Sequence, residues 1–289
     1  MYTTLISVTQ VQALQSSGAP LQVFDCSFDL ARPQAGRAMF AQSHIAGAVY
    51  ADLNTDLSAK GDTAQTGAMS GGRHPLPARE AFAQWLADMG FDNTQQAVVY
   101  DRQGANYCGR LWWMLKWLGH DAVAVLDGGL QAWTAQGGAL ASGDQATARA
   151  VGAFTVSAST VALVDASTVL RELGRPSQTM VDARATPRFK GEVEPLDPVA
   201  GHIPGALNRP FGQNLTPEGF FKPAAVLRAE LDALLGARAA SSVVHHCGSG
   251  VSAIPNVLAM EIAGLSGSAL FAGSWSEWCS DPARPVAIG

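Results

Sequence analysis

An α/β fold, organised as two tandem domains that each carry a parallel sheet flanked by helices, is what this sequence predicts. Three observations carry the prediction. One ordered set of segments occurs twice. Within each copy, short apolar strand candidates alternate with helix-like stretches. The composition, 47% hydrophobic and 15% charged over 289 residues, is that of chains that pack a core.

The repeat comes first, because a missed repeat misassigns a whole fold. VFDCSF (23–28) matches MVDARA (180–185), and SHIAGAV (43–49) matches GHIPGAL (201–207), at offsets of 157 and 158. AVVYDR (97–102) matches SVVHHC (242–247), and LDGGLQAW (126–133) matches FAGSWSEW (271–278), both at an offset of 145. The drop in offset, 158 to 145, assigns 13 extra residues to the first copy between Gly47 and Val98, most economically in the polar, glycine-dotted loop 58–77. The domains are therefore expected over 1–140 and 158–289. An Ala-, Gly-, Ser- and Thr-rich linker should cover 141–157.

In chain order, LQVFD, AVVYD and AVAVLD are the strand candidates of the first copy, and TMVDA, SVVHHC and SALFA those of the second. AREAFAQWLADMGF and GRLWWMLKWLG have helical apolar spacing in the first, and AAVLRAELDALLG in the second. The aromatic run WWMLKW (112–117) reads as core. In sheets of this class, function gathers where strands end and the chain turns into the next helix.

Composition excludes some functions. A net charge of −5 offers no basic surface for nucleic acid. The start lacks a basic segment followed by an apolar run, and no stretch approaches the roughly 18 apolar residues that span a bilayer. No membrane association is expected, and a cytoplasmic location is. Cys26, Cys108, Cys247 and Cys279 are widely spaced with no C-x-x-C pair, so neither zinc nor a disulfide framework is indicated.

Cys247 stands apart from the other three. It follows the strand candidate VVHH and opens CGSGVSA, after which IPNVLAMEIAG reads as a helix. Pro255 suits a first helical turn, where its missing amide hydrogen has no partner to lose. Gly248 and Gly250 let the loop curl with its amides inward. Amides plus a helix N-terminus around one sulfur make an anion nest, which lowers a thiol pKa from about 8.5 toward neutrality and suits a persulfide anion. The matching position in the first copy is Arg102, so that copy lacks the nucleophile. His245 and His246 precede Cys247, but consecutive strand residues point to alternate faces and make poor co-ligands. They are expected to pack beneath the loop, and no metal is expected.

These motifs resemble the tandem rhodanese family over nearly the whole chain: H-I-x-G-A in both copies, the cysteine loop only in the second, and a closing G-x-x-x-x-W in both. The fold implied is two rhodanese-like domains. Family loops reading C-G-S-G-V-T-A look like 3-mercaptopyruvate sulfurtransferases and those reading C-R-K-G-V-T like thiosulfate-preferring rhodaneses; CGSGVSA matches the former except at Ser252. The resemblance places the substrate carboxylate on Arg188 of DARATPRFKG, with Gly248, Gly250, Val251 and Ser252 lining the loop. A second Arg expected in E-P-R-D-G is Leu196 here, and Arg209 is the candidate replacement. A proton relay is implied through Ser249, His74 of RHPLP, and an Asp for which Asp52 is the candidate. Trp275 is a candidate substrate wall.

The function implied is transfer of sulfane sulfur from 3-mercaptopyruvate, through a Cys247 persulfide, to cyanide or a thiol such as thioredoxin, without metal or organic cofactor. Thiosulfate as donor and a non-enzymatic persulfide carrier are the alternatives. A cysteine phosphatase would need Arg six residues after the nucleophile, where Ala253 stands.

Overall fold

The structure, a computed structural model, describes residues 1–59, 67–144 and 150–289. Parts of the expected insertion loop (60–66) and linker (145–149) lie outside the described residues. The chain divides into two compact units. One comprises Met1–Lys60, Pro77–Thr160 and Pro217–Phe220; the other comprises Gly61–Leu76, Val161–Thr216 and Phe221–Gly289. The segment that ends at Leu76 precedes the helix and central strand of the first repeat, yet it belongs to the second unit.

The first unit runs β1 (Leu5–Ile6), α1 (Val8–Ser17), β2 (Leu21–Asp25), α2 (Ala35–Gln42), β3 (His44–Ile45), β4 (Val49–Tyr50), α3 (Arg79–Asp88), β5 (Gln96–Tyr100), α4 (Cys108–Trp117), β6 (Val123–Leu126), α5 (Gly129–Ala135) and β7 (Leu140–Ala141). Local chemistry sets the boundaries of α1. Ser7 and Gln10 form a reciprocal capping box at its start, and Gly18 closes it in the left-handed conformation. The sheet order is β1-β6-β5-β2-β4, all parallel, while β3 and β7 form a separate antiparallel pair. All five residues of β5 are buried, as a central parallel strand covered on both faces requires. Trp112 and Trp113 are fully buried, so the aromatic run is core.

The second unit runs β8 (Ala162–Val164), α6 (Ala166–Arg171), β9 (Thr179–Asp182), α7 (Thr186–Phe189), β10 (Leu207–Asn208), α8 (Ala224–Leu235), β11 (Val243–His246), α9 (Ile254–Ile262), β12 (Ala269–Phe271) and α10 (Ser274–Trp278). Its order, β10-β9-β11-β12-β8, again all parallel, reproduces the first sheet strand for strand, with β11 in the place of β5. Val244, Phe271, Trp275 and Trp278 pack in its core.

The repeated H-I-x-G-A motif has the same physical role in both units. His44 stacks on Phe40 at 3.8 Å and its Nδ1–H donates to the Phe40 carbonyl at 2.8 Å. His202 stacks on Phe189 at 3.9 Å and donates to the Phe189 carbonyl at 2.8 Å. The imidazole thus locks the end of the preceding helix to the strand that follows. Among the described residues, no helix is long and apolar enough to cross a membrane.

Candidate active site

The central strand β11 delivers the site. Cys247 follows its last residue and is 2% exposed. The loop is held from one side by the start of α10. The Cys247 amide donates to Ser274 Oγ at 3.0 Å, Ser274 Oγ donates to the Phe271 carbonyl at 3.0 Å, and the amides of Trp275 and Ser276 donate to the carbonyls of Cys247 and Gly248, both at 2.9 Å. Gly250 has φ +75°, and a Cβ there would run into the Ala272 carbonyl, so the turn admits only glycine. Among the described residues, the amides of Gly248, Ser249, Val251 and Ser252 find no acceptor within the protein. Those donors share one short loop with the Cys247 thiol, immediately before α9 begins.

The first unit shows what happens when such a loop is filled. Asp101, which the offset of 145 aligns with His246, turns its carboxylate into its own loop and accepts from the amides of Gln103, Ala105, Tyr107 and Cys108 at 2.8–3.1 Å. That nest already has a resident anion. Arg102, aligned with Cys247, donates to the buried Asp25 carboxylate at 3.2 Å, to Ser27 Oγ, and to the carbonyls of Met39 and Ser43. In the second unit the aligned residue is His246, a neutral group, and the amides stay open. Burial, partly opposed by Asp182 at 3.8 Å, keeps the His246 pKa below its usual value. His245 lies on the same strand with Nε2 3.1 Å from Met260 Sδ, and burial pushes its pKa down to about 3. Both imidazoles are buried.

On the open side of the loop stand groups from two other segments. Ser249 Oγ and His74 Nδ1 are 2.7 Å apart, and both residues are buried. Arg188 grips Glu194 with Nε at 3.2 Å and Nη2 at 2.6 Å, and its Nη2 also reaches Asp197 at 3.3 Å. Arg73, beside His74 in sequence, pairs through Nη1 with the other oxygen of Asp197. Burial raises the Asp197 pKa despite Arg73. Burial also works to raise Glu194, but the Arg188 fork and the amides of Leu196 and Asp197 outweigh it and hold that carboxyl below its usual range. A Cβ placed on Gly248 would lie 2.9 Å from Arg73 Nη2 and 3.5 Å from Arg188 Nη1, so both guanidinium groups overhang the residue after the cysteine.

The other expected residues have their own partners and surroundings. Arg209 is buried and spends its guanidinium on Asn214 at 2.9 Å and Glu230 at 2.9 Å. Leu196 is 45% exposed. Asp52 belongs to the first unit, where it accepts from the Tyr50 hydroxyl at 3.3 Å and from the amides of Asn54 and Thr55 at 2.8 and 3.1 Å, closing a turn. Trp275 is fully buried beneath the Arg184 guanidinium and donates to the Val199 carbonyl, so it is a core residue rather than a substrate wall. Val251 is buried and its carbonyl accepts from the Ile254 amide, while Ser252 is half-buried. Sequence reading missed Arg73, Glu194 and Asp197. Arg73 and Asp197 are 124 positions apart, and nothing local in either segment signals the pairing.

Comparison with known proteins places this geometry in context. The family model described as "Rhodanese-like domain" matches residues 7–136 and 165–281. A Pseudomonas aeruginosa protein named "Probable 3-mercaptopyruvate sulfurtransferase" is 44% identical over 293 aligned residues, covering 100% of both chains. Human 3-mercaptopyruvate sulfurtransferase is 34% identical across 91% of this chain and 86% of its own length. Among solved structures, the 3-mercaptopyruvate sulfotransferase SseA from Escherichia coli superposes with a TM-score of 0.77 at 30% identity, covering 96% of this chain and 100% of that one.

Proposed function

Because the chain belongs to the rhodanese-like domain family through both of its repeats, we propose that it is a sulfurtransferase that takes sulfane sulfur from 3-mercaptopyruvate onto Cys247. The observation that carries this reading is the loop itself: a cysteine beside four amides (Gly248, Ser249, Val251 and Ser252) that find no acceptor among the described residues, a serine of the same loop bonded to His74, and two guanidinium groups over Gly248.

The chemistry follows from those groups. Cys247 thiolate attacks the donor sulfur and an S–S bond forms. The donor C–S bond breaks, and its electron pair passes to the methylene carbon to give the enolate of pyruvate. The proton first carried by the donor thiol ends on that carbon, relayed by Ser249 and His74. The products are pyruvate and a Cys247 persulfide whose charge the open amides stabilise. In the second half-reaction, a thiolate acceptor such as thioredoxin, or cyanide, attacks the outer sulfur and Cys247 departs as thiolate, a ping-pong cycle with no external oxidant. Arg188 reaches the donor carboxylate through Nη1, the nitrogen that its pairing with Glu194 and Asp197 leaves over. The compartment proposed is the cytoplasm, where a free cysteine and thiol acceptors persist; all four cysteines are free.

Thiosulfate is the second reading, and one observation favours it: two guanidinium groups at the loop also suit a dianion. The deciding experiment is kcat/KM with 3-mercaptopyruvate and with thiosulfate, using cyanide as acceptor, beside Cys247→Ser. Mercaptopyruvate preferred, with the variant inactive, supports the proposal; thiosulfate preferred reverses the donor; turnover by Cys247→Ser removes the mechanism.

A further inference from the structure

We propose that Arg73 is a second arm of the donor site, joining Arg188 in a clamp on the donor carboxylate. The assignment rests on the sulfurtransferase reading and extends it to a residue that the loop motif does not include.

Three features point to Arg73. First, the atoms of the two arginines nearest to Gly248 are Arg73 Nη2 and Arg188 Nη1, and among the described residues neither makes a hydrogen bond within the protein. Arg188 is anchored through Nε and Nη2 and Arg73 through Nη1, and each presents a spare donor at the same place. Secondly, the anchor is shared. Asp197 takes Arg73 on one carboxylate oxygen and Arg188 on the other, so one buried carboxylate holds both forks side by side against the repulsion of two like charges. Thirdly, among the described residues Arg73 Nε is buried without a partner, an unmet donor that a merely structural ion pair does not require.

The backbone of Arg73 is fixed to the same loop. Its amide donates to Ser276 Oγ at 3.1 Å, and the Ser276 amide donates to the Gly248 carbonyl at 2.9 Å. One two-residue segment therefore delivers both His74 to Ser249 and a cation to the space above Gly248. Two parallel donors from separate guanidinium groups match the two oxygens of a carboxylate, one each. Gly248 leaves that space open, because a side chain there would displace Arg73 first.

The test compares wild type, Arg73→Gln and Arg73→Lys. Steady-state turnover of 3-mercaptopyruvate is measured together with pyruvate affinity by calorimetry, which is read whether or not the protein turns over. Arg73→Gln should raise KM and weaken pyruvate roughly 10- to 100-fold, the worth of one charge-assisted hydrogen bond, with most of the loss in KM rather than kcat. Arg73→Lys should recover part of it, since it keeps the charge and loses the fork. If Arg73→Gln strands Asp197 and does not fold, the double variant with Asp197→Asn removes the stranded charge; because Asp197 also anchors Arg188, it is compared with Asp197→Asn alone, and the same further loss of pyruvate affinity is expected. Equal pyruvate affinity in wild type and variant, or none in either, overturns the assignment. A wild type that binds pyruvate but forms no persulfide defeats the sulfurtransferase reading and leaves the clamp standing.

Discussion

Acid should destabilise the second unit well above the pH at which carboxylates protonate, and His245 is the reason. The residue is 1% exposed, and among the described residues Nδ1 has no hydrogen-bond partner and Nε2 meets the Met260 thioether alone. Burial, reinforced by His246 and Arg209, brings its pKa to about 3, against about 6.5 in an unfolded chain. Between those values the unfolded chain binds a proton that the folded one refuses. The stabilisation is therefore complete above about pH 6.5 and is lost as pH falls toward 3, at about 1.4 kcal/mol per pH unit. Lowering the pH from 7 to 5 should remove about 2 kcal/mol through this group alone. His245→Leu keeps an apolar contact with Met260 and deletes the proton site. Urea unfolding midpoints at pH 7, 6 and 5 give the slope for each protein, and the variant should lose about 2 kcal/mol less over that range. Equal losses in the two proteins would refute the reasoning.

Two substitutions separate scaffold from chemistry. Arg102→Ala should cost about 3–5 kcal/mol, because it strands the Asp25 carboxylate, whose side chain is fully buried, and the loss should appear in thermal unfolding while kcat per folded molecule is retained. His74→Asn should slow pyruvate release in a single turnover by roughly 10²- to 10⁴-fold, the usual worth of a general acid–base group, with a smaller effect on discharge of a preloaded persulfide to cyanide.

The fold was legible because its signals are local and repeat. Four ordered matches required two copies of one topology, and the two sheets do share one strand order. The nucleophile loop was legible for the same reason: Cys247, Gly248 and Gly250 lie within four positions, and the strand before them and the helix after them each carry their own periodicity. The meeting of Ser249 with His74 came from the family resemblance rather than from spacing, since 175 residues separate them. What stayed hidden depends on long-range pairing. Arg209 was a reasonable cation by proximity to H-I-P-G-A, but Glu230 and Asn214, on elements that follow it, claim its guanidinium. Arg73 carried no motif of its own, and its role emerges only when Asp197 and Gly248 fold against it. Likewise, the sequence match of Asp101 with His246 became informative only once the Asp101 carboxylate was seen filling its own loop.

The central claim is that Cys247 carries the sulfur, and intact-protein mass spectrometry after brief exposure to 3-mercaptopyruvate without acceptor tests it most directly. The account predicts a mass increase of one sulfur atom, mapped by peptide analysis to Cys247, absent in Cys247→Ser and discharged by cyanide. An unmodified Cys247 in protein that releases pyruvate, or sulfur mapped to Cys26, Cys108 or Cys279 instead, would contradict it.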